Sequence, residues 1–177
     1  MRRANVTTAS PLVCEPIEMP TTPELAGFAA LFERHHEAVF RAALRVTGHR
    51  ADAEDVLQTV FLRVLSQSNE AADRPAADFH RAAVNAAVDI LRRRAAHAET
   101  PYDDLAPHAT VERPMLLKEQ LRRAIATLDT SDASLFLLRH VEGFSIEELA
   151  GLFQMQKNNV TVKLHRIRLR LQGEMER

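Results

Sequence analysis

Lys157, Asn158, Asn159, Thr161, Lys163 and Arg166 bring two side-chain amides, a hydroxyl and three cations into the opening turns of one amphipathic segment, KNNVTVKLHRIRLRL. An amide offers both a donor and an acceptor to a base edge, while Lys and Arg at later turns suit phosphate oxygens. Val160, Leu164, Ile167 and Leu171 recur at helical spacing and predict a buried stripe, leaving Lys163, Arg166 and Arg170 on another face. Just upstream, Ser145 and Glu148 have the spacing of a capping box. Leu149, Leu152 and Phe153 are expected to face inward, with small Ala150 and Gly151 allowing close helix approach. Two helices separated by a short polar break read as a helix-turn-helix, whose second helix can lie in a DNA major groove. A helical hairpin with a solvated basic face is the plainer alternative.

Two further charge clusters stand out. The segment FHRAAVNAAVDILRRR ends in Arg92, Arg93 and Arg94, which suit either phosphate binding or the negative end of a helix dipole. Asp52, Glu54 and Asp55 sit at the start of another helical pattern, where negative charge favours the helix or presents an acidic face to a basic protein partner. The net charge of −1 hides this segregation: His97 to Glu112 holds four acidic residues and no Lys or Arg. Local patches, more than the total, steer a protein toward phosphate. Enzymatic signatures are missing: there is no phosphate-binding glycine loop or nucleophile elbow, so no catalytic residue and no cofactor is expected. Glu33 and His36 have a Glu-x-x-His spacing, but a second such motif is lacking and no metal site is expected. Cys14 is the single cysteine, which excludes an intramolecular disulfide and a cysteine zinc cluster.

These residues must be positioned by helices. Apolar content is 46%, Trp is absent, and alternating β-branched runs are missing, so an all-α fold is expected. Residues 1–22 are rich in Pro and Thr and read as a mobile tail. Leu25, Phe28, Leu31, Phe32, Val39, Phe40 and Leu44 predict one or two helices from Pro23 to about Thr47, with Gly48 as the stop. A helix through Val56, Leu57, Val60, Phe61, Val64 and Leu65 follows. The polar stretch Ser66–Asp78 with Pro75 breaks the pattern before periodicity returns from Phe79 to about Ala96. Residues 97–114 contain three prolines and form the expected boundary, a flexible linker reaching at most about 60 Å. Apolar periodicity from Met115 onward builds a second unit that runs into the helix-turn-helix. No window approaches the roughly 18 apolar residues of a membrane helix. Arg2 and Arg3 are not followed by a continuous apolar stretch, so no secretory signal is expected. A soluble, cytoplasmic protein without membrane insertion is therefore expected.

In their order, DAEDVLQTVFLRVL, VNAAVDILRRR, a proline-bearing linker and LRHVEGFSIEELAGLF…VTVKLHRIRLRL resemble an extracytoplasmic-function (ECF) sigma factor of the sigma-70 family. The resemblance implies a region 2-like helical module at 23–96 and a region 4-like helix-turn-helix module at 115–177. It implies core RNA polymerase and promoter DNA as partners, and an inhibitory anti-sigma factor. Asp52, Glu54, Asp55 and Gln58 would dock on the polymerase. The Gln67–Asp78 loop with Arg81, Asn85, Arg92, Arg93 and Arg94 would engage the −10 element, and Lys157, Asn158, Asn159, Thr161, Lys163 and Arg166 the −35 element. Three positions depart from the family pattern. Gln154 stands where the helix-turn-helix has a turn glycine, Asp78–Phe79 where many relatives have tryptophan, and Leu128-Asp129-Thr130 where a proline is usual. Val162 also places an apolar group near the groove surface. A stand-alone regulator built on residues 115–177, and a sigma-like scaffold without promoter recognition, remain the alternatives.

Overall fold

The computed structural model describes residues 22–66, 75–98 and 113–176. The tail up to residue 21, with Cys14, most of the Gln67–Asp78 loop and linker residues 99–112 lie outside the described residues. The chain is all-α, with no strand among the described residues, and the helices follow the apolar periodicity closely. The first pattern forms one helix, α1 (Thr22–Thr47), followed by α2 (Arg50–Ser66) and α3 (Ala76–Ala98). Then come α4 (Arg113–Ala126), α5 (Thr130–His140), α6 (Ile146–Leu152) and α7 (Lys157–Met175).

Helices α1, α2 and α3 pack around Val39, Ala42, Ala43, Val56, Val60, Phe61 and Val84, all buried. An aromatic cluster closes one end of this unit. Phe32 meets Phe61 edge-on at 4.9 Å between ring centroids, and His35 stacks on Phe79 at 4.2 Å. His35 is therefore a buried packing residue. Burial, aided by the positive fields of Arg34 and His80, lowers its pKa from the ordinary value and favours the neutral ring.

Local stops and starts have clear causes. Gly48 closes α1 in the left-handed region at φ +74°, its N–H returning to the Leu44 carbonyl at 2.8 Å. Asp129, in the Leu128-Asp129-Thr130 segment, caps α5 by accepting from the Asp132 N–H at 2.9 Å. Ser145 and Glu148 form the full capping box of α6.

The second set of helices does not stand apart. Beyond its contacts with α1 and α2, α3 packs against α4 and α5, and α7 packs on α4, α5 and α6. Val88, Leu91, Ile125, Leu128, Leu135 and Leu138 belong to the same continuous core as the α1–α3 residues. Arg122 of α4 reaches the end of α1, donating from Nε to the Val46 carbonyl at 3.0 Å, and its guanidinium lies against Gly48.

This close approach makes Gly48 a sensitive position. A Cβ there would overlap the Arg122 guanidinium and force a non-glycine residue to positive φ. Gly48→Ala is expected to lower stability by about 1–3 kcal/mol. Thermal unfolding measures this directly, and an unchanged melting temperature would contradict the assigned cap.

Candidate nucleic-acid interface

Helix α7 is held by one buried stripe, Val160, Leu164, Ile167 and Leu171, as its periodicity predicts. Its first turns therefore point outward: Lys157, Asn158, Asn159 and Thr161 are exposed, and so is Arg166 two turns on. Lys157 pairs with Glu147 of α6 at 2.8 Å, a solvent-exposed contact that a phosphate could replace at small cost. Lys163 is half-buried and lies 2.6 Å from Asp132 of α5, without hydrogen-bond alignment at the buried carboxylate oxygen. The Thr161 hydroxyl donates back to the Lys157 carbonyl at 3.2 Å, leaving its methyl group for external contact. Val162 is 49% exposed beside these polar groups.

The turn between α6 and α7 places Gln154 at φ +52°, the left-handed conformation expected where a glycine would be usual. Its strain is of order 1 kcal/mol and is held by the flanking hydrogen bonds Gln154 N–H to Gly151 O and Met155 N–H to Ala150 O. Two expectations are corrected here. Gly151 is exposed, with open space where its side chain would be, so close helix packing does not require it. Arg170 leaves the shared basic face and donates to the Thr127 carbonyl beyond α4 at 3.1 Å.

On α2, Glu54, Asp55 and Gln58 are exposed, whereas Asp52 is largely buried. Asp52 lies 2.6 Å from Arg94 of α3, which joins two residues assigned by sequence to different partners. Periodicity alone missed Leu62. At 64% exposure it continues the Asp55–Gln58 stripe one turn further, because Phe61 and Val64 take the core-facing positions. The available signal was its helical spacing from Asp55 and Gln58.

Helix α3 presents the largest difference between spacing and geometry. Arg81, Asn85 and Arg92 are not on an open surface. Arg81 donates to the Leu152 carbonyl at 2.8 Å and stacks over the Phe153 ring at 5.3 Å. Asn85 accepts from the Ser134 hydroxyl. Arg92 donates to the Leu128 carbonyl at 2.5 Å and the Thr130 hydroxyl at 2.6 Å. Arg93 stays exposed and contacts only its own helix, at the Asp89 carbonyl, among the contacts described.

Next to this row, Glu142 ties three elements together. Its carboxylate, 1% exposed, accepts from Arg45 of α1 at 2.7 Å and from His80 of α3 at 3.0 Å. Burial alone would raise its pKa, but hydrogen bonds from His80 and Arg45, reinforced by their charges, outweigh it and hold the carboxyl below its ordinary range.

Comparisons with known proteins agree on both halves of the chain. Residues 31–97 match the family model "Sigma-70 region 2", and residues 118–171 match "Sigma-70, region 4". An RNA polymerase sigma-E factor of Streptomyces avermitilis is 30% identical over 158 residues, covering 86% of this chain and 87% of the relative. The RNA polymerase sigma factor CarQ of Myxococcus xanthus is 32% identical over 159 residues, covering 85% and 91%. ECF RNA polymerase sigma factor SigM of Mycobacterium tuberculosis is 29% identical over 155 residues, covering 82% and 75%. The solved structure of sigma factor RpoE with the anti-sigma factor NepR from Bartonella quintana gives a TM-score of 0.47 at 17% identity, covering 84% of this chain and 96% of that one.

The depressed Glu142 pKa fixes the sign of a pH effect. Its stabilisation is complete above the unfolded carboxyl value of about 4.3 and is lost as pH falls through the lower folded value. Glu142→Gln is expected to reduce stability near neutral pH and to flatten the acid limb of the melting-temperature profile. Identical acid limbs for the two proteins would remove Glu142 from this role.

Proposed function

The chain belongs to the ECF sigma factors of the sigma-70 family, and we propose that it binds core RNA polymerase, recognises −10 and −35 promoter elements and directs transcription initiation. In this role the chain supplies recognition while bond formation belongs to the polymerase. Residues 23–96 form the polymerase- and −10-binding module, and residues 115–177 the −35-binding module.

The observation that carries promoter recognition is the outward-facing start of α7. Asn158 and Asn159 are free of described side-chain partners and can address base edges, while Arg166 is exposed where a phosphate would pass. Lys157 and Lys163 add charge once their pairs with Glu147 and Asp132 exchange for DNA. For the polymerase, Glu54, Asp55, Gln58 and the exposed Leu62 supply a mixed acidic and apolar stripe. Asp52 contributes indirectly, by holding Arg94. Arg81, Asn85, Arg92, Arg93 and Arg94 form the −10 group, where cations and amides suit an unstacked strand.

The family also implies an anti-sigma partner, and polymerase binding implies a cytoplasmic location. No described helix is long and apolar enough to cross a membrane. Gln154 and Val162 favour a second reading, a scaffold that keeps the α2 docking stripe without recognising promoters. A stand-alone regulator of residues 115–177 is disfavoured by the core that α4 and α5 share with α3.

Two variants separate these roles. Asp55→Arg is expected to weaken association with core polymerase at least about tenfold in a pull-down, because it reverses charge at the centre of the stripe. Wild-type affinity would exclude docking through this face. Arg166→Ala is expected to weaken duplex promoter binding and reduce the slope of log affinity against log salt by about one unit. An unchanged slope would show that Arg166 does not grip phosphate.

A further inference from the structure

Val162 is an apolar residue in the middle of a polar reading surface. The buried stripe of α7, Val160, Leu164, Ile167 and Leu171, fixes how the helix is turned. At about 3.6 residues per turn, Val162 falls within roughly 20° of the direction opposite that stripe. It therefore points away from the helices that hold α7, and it is 49% exposed. Asn158 stands one turn before it and Arg166 one turn after it on the same side, both exposed, with Asn159 at their flank. Lys163, the next residue along, is drawn aside to Asp132 of α5 at 2.6 Å. Thr161 turns its hydroxyl back to the Lys157 carbonyl and leaves a second methyl group beside the valine. The fold itself has little use for valine here: β-branched residues are weaker helix formers than Ala or Leu, and half of this one stays in water.

We infer that Val162 is a specificity-determining residue that reads the 5-methyl group of a thymine in the −35 element. The inference rests on the assignment of the start of α7 to −35 recognition. Thymine alone among the four bases presents a methyl group in the major groove; the others present hydrogen-bonding atoms there. An isopropyl group against that methyl removes apolar surface from water on both sides. Against cytosine or a purine, the same group would cover a donor or acceptor without replacing its hydrogen bond to water, which is unfavourable. Asn158 lies about 6 Å earlier along the helix axis, a separation of roughly two base-pair steps. Its amide suits an adenine, whose major-groove edge offers one acceptor and one donor. The expected element therefore holds a thymine within about two steps of an adenine. Arg166 and Lys157 supply charge toward phosphates whatever the sequence, whereas Val162 supplies discrimination without charge.

The test uses holoenzyme assembled from core RNA polymerase and the full chain, with a randomised duplex DNA library from which bound duplexes are selected and sequenced. The best selected duplex is then compared, by mobility shift, with versions in which each thymine of the upstream element is replaced singly by uracil, which lacks only the methyl group. One replacement is expected to weaken wild-type binding by about two- to fivefold, the effect of exposing one methyl group. Val162→Ser is expected to bind the thymine and uracil duplexes equally, with the salt slope of wild type, since no charge changes. Serine and valine are similar helix formers and the position is exposed, so the variant keeps the fold; the thymine-to-uracil comparison on wild type needs no variant at all. Equal wild-type affinity for thymine and uracil at every position would overturn the inference, as would a shared element without thymine. A methyl preference that Val162→Ser retains would overturn it too, by assigning the contact to another residue. Each of these outcomes leaves −35 recognition standing. Selected duplexes with no shared upstream element, despite stable polymerase binding, would reject the −35 assignment itself and the inference with it.

Discussion

Burying α3 on two sides at once is the constraint that organises the molecule. Ala83, Ala86 and Ala87 are small enough for neighbouring helices to approach closely, and Val84, Val88, Ile90 and Leu91 fill the space between them. Each large aliphatic side chain removed from water contributes about 1.5–3 kcal/mol before entropy is counted. The helix therefore has a strong reason to be covered by α1 and α2 on one side and by α4 and α5 on the other. Arg81, Asn85 and Arg92 lie along the edges of those contacts, so their hydrogen bonds are set by the same packing.

Charged pairs differ between the surface and the interior. The α2 stripe and the start of α7 face solvent, with weak exposed pairs such as Arg50–Glu54 and Lys157–Glu147 that partners can replace. The interior pairs behave differently. Glu142, between Arg45 and His80, has both carboxylate oxygens satisfied by charged or polar donors, and loss of one donor would leave a buried charge underpaired. The result is a protein whose polar groups on α2 and at the start of α7 are exposed while Arg81, Asn85 and Arg92 of α3 are held by internal hydrogen bonds.

Much of this fold could be read from particular residues. The spacing of Val160, Leu164, Ile167 and Leu171 located α7 and its buried face, and Ser145 with Glu148 located the start of α6, since both signals are local. Gly48 likewise marked the end of α1 through its backbone freedom. The contacts of Arg81 with Leu152 and of Arg92 with Leu128 were not legible, because they join residues distant in sequence and depend on how finished helices pack. The stacking of His35 on Phe79 is hidden for the same reason, because the two rings belong to different helices. On the candidate surfaces, residue type singled out Asp55, Gln58, Asn158 and Arg166 as candidates, but only the fold distinguished these exposed groups from Asp52 and Lys163, which are paired within the protein.

The most direct measurement is run-off transcription with purified core RNA polymerase, the full chain and a library of promoter fragments. Transcripts that require the protein and start at a fixed distance from two shared upstream elements are the predicted result, joining the α2, α3 and α7 surfaces in one activity. Stable polymerase binding with no protein-dependent transcript from any fragment would contradict promoter-directed initiation and leave a polymerase-binding scaffold.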